Sequence, residues 1–229
     1  NIYKITVRST MKNLIVEGLG DKFFFERYCE HHKFDVDVTV ITPEDVDSKF
    51  HTTKSGVIFN SLNKLLEQVS VGKITRLGII VDADQEIVDS GIEKTKSDLQ
   101  KILTPHGYTL ENTEHGLVAT NNDGLIDIGI WIMPDNIIDG TIEDWIENLV
   151  HTKEQDLFRY SKECVANLKT NNLQKFKDSR ILKAELATWF AWQKSPGYGL
   201  DFFFDEPLID KNSPAYNNLS EWFKRTFNI

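Results

Sequence analysis

The chain reads as an α/β protein, with a mostly parallel central sheet flanked by helices over residues 1–150 and a small α-helical C-terminal extension over 151–229. Three observations predict this. Short β-rich apolar runs recur along the first 150 residues, stretches of helical spacing separate them, and beyond residue 150 the periodicity is helical throughout.

The first run, Lys12-Asn13-Leu14-Ile15-Val16, precedes Glu17-Gly18-Leu19-Gly20-Asp21 and an amphipathic stretch to Glu30, which predicts strand, glycine turn and helix. Residues 36–41 alternate cleanly as a second strand that stops at Thr42-Pro43, and apolar residues at Ile58, Leu62, Leu65, Leu66 and Val69 mark the next helix. Leu77-Gly78-Ile79-Ile80-Val81 is the most apolar run, of the kind buried on both faces of a parallel sheet. A helix from Glu93 to Leu103 follows it, closed by Pro105. Residues 127–133 form a further central strand, after which Thr141 caps a helix to about Val150. In the remainder, 154–169, 181–193 and 217–227 are helical, with a break at Ser195-Pro196-Gly197-Tyr198-Gly199.

With 229 residues and 40% hydrophobic content, the chain can bury a proper core. It has no apolar run of the roughly eighteen residues that cross a bilayer, and its start lacks the charged-then-apolar order of a signal peptide. The expectation is a cytoplasmic protein with no membrane contact. Two cysteines without C-x-x-C spacing indicate free thiols rather than a disulfide framework or a thiolate zinc site. A net charge of −9 argues against coating nucleic acid by bulk electrostatics. The charge is uneven: residues 1–150 carry 14 basic against 25 acidic side chains, and residues 151–229 carry 12 against 10.

The acid gathers at predicted strand ends. Glu17 closes a strand at a glycine-rich turn, at the carboxyl edge where open α/β sheets build their sites. Asp82 and Asp84 follow the 77–81 run at i, i+2, a spacing that sends both side chains to one side if the backbone stays extended. Three carboxylates at one edge suit Mg²⁺ or Mn²⁺ better than zinc or haem, because hard cations take oxygen ligands. Asp135 and Glu143, with Asp144, are candidate ligands for a second ion. Thr141-x-x-Asp144 also reads as a capping box, and Asp21 as a residue that stabilises its helix start.

Val16-Glu17-Gly18-Leu19-Gly20-Asp21 resembles the Toprim motif, a hydrophobic strand followed by E-G-x-x-D, and Val81-Asp82-Ala83-Asp84 resembles its D-x-D partner. The resemblance implies a Toprim-like sheet of about four strands and Mg²⁺-dependent making or breaking of phosphodiester bonds. Glu17 would act as general acid/base or metal ligand, with Asp82 and Asp84 as metal ligands. The chain looks most similar to a small stand-alone Toprim-like group of uncharacterised microbial proteins, related to the Toprim domains of OLD-type nucleases. The residues that carry this are 131–136, 140–145, Lys183, 187–193 and Pro196-Gly197. No topoisomerase-like tyrosine module and no primase zinc or polymerase segment accompanies the motif, so neither of those activities is expected.

A nuclease or phosphotransfer enzyme also needs a grip on phosphate. Lys54-Ser55-Gly56 precedes a helix, so its backbone N–H groups and ammonium can receive a phosphate, or the lysine can simply be solvated. Arg159, Lys162, Lys169, Lys175, Lys177, Arg180 and Lys183 form the one basic stretch, readable as a track for nucleic acid or as a charged helix face. Trp189 and Trp192 read mainly as core. The alternative to an enzyme is a non-catalytic Toprim-like binding or regulatory module working with a partner protein. No H-E-x-x-H, G-x-S-x-G or G-x-x-x-x-G-K-[ST] pattern is present.

Overall fold

The computed structural model describes residues 12–40, 54–84, 90–196, 203–204 and 207–229, with the backbone alone over 54–61. Six strands form one sheet: β1 (Lys12–Val16), β2 (Asp37–Val40), β3 (Arg76–Asp82), β4 (Tyr108–Thr113), β5 (Gly116–Asn121) and β6 (Ile128–Met133). Their order is β2-β1-β3-β6-β5-β4. The first three neighbouring pairs are parallel, and the last two are antiparallel.

Seven α-helices cover the sheet among the described residues: α1 (Leu19–His32), α2 (Lys54–Ser70), α3 (Ile92–Leu103), α4 (Ile142–Leu149), α5 (Gln155–Thr170), α6 (Ile181–Ala191) and α7 (Pro214–Phe227). The mixed α/β class and the mostly parallel sheet predicted from the sequence are what the chain adopts.

Pleating assigns successive strand residues to opposite faces. Leu14, Val16, Ile80, Trp131 and Met133 pack into one core with α1, α4, α6 and α7. Ile15, Leu77, Ile79, Val81, Ile128, Ile130 and Ile132 pack into another with α2 and α3. The C-terminal helices therefore share a core with the sheet, since Trp189, Leu219, Phe223 and Phe227 join residues of β1 and β6 in one cluster. Trp189 is buried, as its helical position predicts, whereas Trp192 is partly exposed against Tyr160.

Two glycines let α7 approach the sheet. Gly78 of β3 and Gly129 of β6 are partners in register. A Cβ on Gly78 would lie 2.7 Å from Phe227 Cζ, and one on Gly129 would lie 2.0 Å from Thr226 Oγ1. The flat patch they create is where the helix seats.

The β4–β5 hairpin is absent from the sequence expectation. Only Tyr108, Leu117 and Ala119 of its twelve residues are buried, so the apolar alternation that announces the other strands is thin. The hairpin occupies the sheet edge, where one strand needs little apolar cover.

Candidate functional site at the carboxyl edge of the sheet

Because β1, β3 and β6 are adjacent and parallel, their C-terminal ends lie on one edge. Glu17 follows β1 and Asp82 ends β3. Glu17 Oε1 accepts the backbone N–H of Asp82 at 3.0 Å. Asp82 Oδ1 in turn accepts the backbone N–H of Ile142, the first residue of α4, at 3.0 Å. Asp82 thus sits where the α4 N-terminus favours negative charge. Two carboxylates and a helix start are joined in series.

Burial holds the Asp82 carboxyl well above the usual aspartate range, and the negative charges of Glu17, Asp21, Glu143 and Asp84 push it further the same way. Asp21 shapes the helix start, its Oδ2 accepting the Gly18 N–H at 2.8 Å. Glu143 is buried in the first turn of α4 and pairs with Lys183 of α6 at 2.7 Å. A small cleft of about 10 Å³, room for one water-sized species, is lined by Glu17, Asp21, Asp82 and Ile142 among others.

The expected extended geometry of Asp82-x-Asp84 is not what forms. The strand ends at Asp82, and Asp84 adopts a left-handed backbone with φ 61°, a conformation that aspartate tolerates better than most residues. Its N–H donates to Gly140 O at 2.9 Å and its carbonyl accepts the Gly140 N–H at 3.0 Å. This bridge ties the loop after β3 to the loop after β6 and leaves Asp84 exposed at the rim. Among the described residues no group of three Asp, Glu, His or Cys side chains is gathered tightly enough to cage a metal ion.

The other predicted residues fall in different places. Asp135 is turned into its own loop, where its Oδ1 accepts the N–H groups of Ile137 and Ile138 at 2.9 and 3.0 Å. Asp144 is the partner in the Thr141 capping box, accepting the Thr141 N–H at 2.7 Å and its hydroxyl at 2.9 Å. Lys54 opens α2, and its side chain lies outside the described residues. Lys175, Lys177 and Arg180 are exposed between α5 and α6. Other members of the basic stretch are paired, Arg159 with Asp156, Lys162 with Glu147 and Lys169 with Asp178.

Sequence reasoning missed two contributors, the Ile142 N–H and the Gly140 backbone. Their signal was Gly140-Thr141 ahead of a helix, which brings N–H groups to a strand edge. It also missed four exposed apolar side chains: Leu19 and Phe23 on the first turns of α1, and Ile137 and Ile138 after β6, are each more than half exposed.

A family model described as "Protein of unknown function (DUF3226)" matches residues 11–228. The chain belongs to that family. The chain is also 34% identical over 80 residues to a protein named translation initiation factor IF-2 from Clostridium botulinum (strain Alaska E43 / Type E3). That stretch covers 33% of the chain and 12% of the factor. No solved structure matches the DUF3226 chain.

Proposed function

We propose that the chain is a Mg²⁺- or Mn²⁺-dependent nuclease or phosphotransfer enzyme acting on nucleic-acid phosphodiesters through a Toprim-type acidic site. The observation that carries this reading is the Glu17–Asp82 contact across adjacent parallel strand ends, with Asp84 at the rim. Their order in the chain is the one that the Toprim resemblance implies, and Glu17 and Asp82 meet at one sheet edge.

The donor set fits the ion in kind. Magnesium is usually held by one or two carboxylates, several waters and substrate phosphates, so a closed protein cage is not required. Glu17 and Asp82 would hold it, with Asp84 as a further oxygen ligand at the rim. When bound, the ion supplies Lewis-acid polarisation of a phosphoryl oxygen and offsets its developing charge. Glu17 handles proton transfer at its carboxylate, while the α4 N-terminus fixes Asp82 through the Ile142 N–H. Lys183, which pairs with Glu143, and the exposed Lys175, Lys177 and Arg180 would supply the cations that meet the phosphates.

Free thiols at Cys29 and Cys164 are compatible with a reducing compartment such as the cytoplasm, and no helix among the described residues is long and apolar enough to cross a membrane. The test is an assay of purified protein on single- and double-stranded DNA and RNA with Mg²⁺, Mn²⁺ or EDTA. Metal-dependent cleavage that Asp82→Asn abolishes is the expected result; full activity in that variant sinks the assignment.

A second reading is a non-catalytic Toprim-like module that works with a partner protein. Leu19, Phe23, Ile137 and Ile138, exposed on elements next to the acids, support it as apolar side chains that a partner would cover. Metal binding without turnover on any nucleic acid is the outcome that selects this reading.

A further inference from the structure

At the opposite edge of the sheet, a cavity of about 390 Å³ opens between the start of β3, the β4–β5 turn and the end of α7. That volume lies within the range of small-molecule sites, roughly 300–1,000 Å³. Three separate elements bring basic side chains to it: Arg76 from β3, His115 from the hairpin turn and Arg225 from α7.

The acids facing these groups are few. Asp127 lines the cavity, and Glu114, largely exposed, lies 3.8 Å from both Arg225 Nη2 and His115 Nε2. Glu221, on α7, is occupied by Lys224 at 2.7 Å. Arg76 makes no ion pair among the described residues; one of its guanidinium nitrogens donates to Thr75 O at 2.9 Å. Trp222 and Leu117 give the cavity an apolar wall. His115 Nδ1 and Trp222 Nε1, two buried polar atoms of lining residues, find no hydrogen-bond partner among the described residues.

From this convergence we infer that the cavity binds a small organic anion, with a phosphate or carboxylate between Arg76 and Arg225 and an apolar or planar body against Trp222. Guanidinium forks match both anions in geometry, and neither is captured by an isolated surface lysine in the same way. The site is separate from the acidic one. Arg76 opens β3 and Asp82 closes it, so the two are about 20 Å apart at strand rise, beyond the Debye length of about 8 Å at physiological ionic strength.

The test is calorimetric titration of the full chain in EDTA with inorganic phosphate, adenosine 5′-monophosphate and benzoate. One of the two apolar-bodied anions should bind at least about tenfold tighter than inorganic phosphate, and which one does so separates phosphate from carboxylate as the recognised group. Arg76→Gln and Arg225→Gln should each weaken that binding about tenfold, the loss expected for a charged hydrogen bond. Glu114→Gln, which removes a competing carboxylate, should tighten it. Asp82→Asn should leave it unchanged, so a failure here stands apart from any failure of the phosphodiester reading. No binding of any probe at about 10 mM, far above a millimolar Kd, overturns the inference. So does affinity indifferent to both arginine variants, or affinity lost in Asp82→Asn.

Discussion

The carboxylate of Glu17 accepts the backbone N–H of Asp82 at 3.0 Å, so the end of β1 is hydrogen-bonded to the end of β3 through an acid rather than through the ladder. This contact brings a second negative charge to a carboxyl group that burial already disfavours as an anion. Burial and four acids act on Asp82 in the same direction, so folding raises its affinity for a proton.

A pH dependence follows. The unfolded aspartate titrates near 3.9, and the folded one higher, so its contribution to stability is complete below about pH 3.9 and is lost as pH rises through the folded value. Asp82→Asn keeps an acceptor for the Ile142 N–H while removing the charge. In EDTA it should melt above the parent at about pH 7.5, with the gap closing towards about pH 4. Thermal melts across that range check it, and a variant less stable than the parent at neutral pH contradicts the crowding of charge.

Divalent cations should reverse that crowding. Millimolar Mn²⁺ or Mg²⁺ should raise the melting temperature of the parent, because a ligand that binds only the folded state stabilises it. The shift should disappear in Asp82→Asn and shrink in Glu17→Gln. A melting temperature indifferent to Mn²⁺ at neutral pH counts against the metal reading, whatever the assay substrate.

Glu17 and Asp82 were legible because each follows a dense apolar run whose strand character leaves little choice about where the next residue projects. Asp84 was not. Its place depends on the chain leaving extended geometry after Asp82 and pairing with Gly140, a contact 56 residues away in sequence. The Thr141–Asp144 box was readable because capping is local, whereas the Lys183–Glu143 pair joins two helices that only tertiary packing brings together. The edge hairpin escaped because three buried residues make a weak pattern.

Lys183 has a measurable structural role beside any role towards phosphate. It is the ion-pair partner of the buried Glu143 at 2.7 Å, and removing it leaves that carboxylate without its cation. Lys183→Met should cost about 1 kcal/mol, the modest value expected for a pair whose lysine is half exposed. Glu143→Gln combined with Lys183→Met should recover much of the loss. Chemical denaturation of the two variants checks this, and a double variant no better than the single one argues that Lys183 acts through something other than Glu143.

The start of α4 can be tested through its cap. Asp144 Oδ2 accepts both the backbone N–H and the hydroxyl of Thr141, fixing the turn that presents the Ile142 N–H to Asp82. Asp144→Ala should destabilise the fold by about 1 kcal/mol, as the loss of a capping contact does. It should also reduce Mn²⁺ stabilisation, since Asp82 loses a fixed partner. Unchanged metal affinity in a destabilised variant separates the cap's structural role from the site.

The seating of α7 over the sheet depends on Gly129. A methyl group there would stand 2.0 Å from Thr226 Oγ1, 2.5 Å from its Cγ2 and 2.8 Å from its Cβ, so no rotamer of Thr226 relieves the overlap. The helix must move away from the sheet, and Gly129→Ala should cost about 1–3 kcal/mol, or more if Phe227 is lifted from its place over Gly78. Thr226→Ala alone should be mild, and in combination should recover only part of the loss because its Cβ remains 2.8 Å away. Equilibrium denaturation of the three variants reads this directly: full rescue by Thr226→Ala would show that the threonine's γ atoms, and not the backbone approach of α7, set the requirement for glycine.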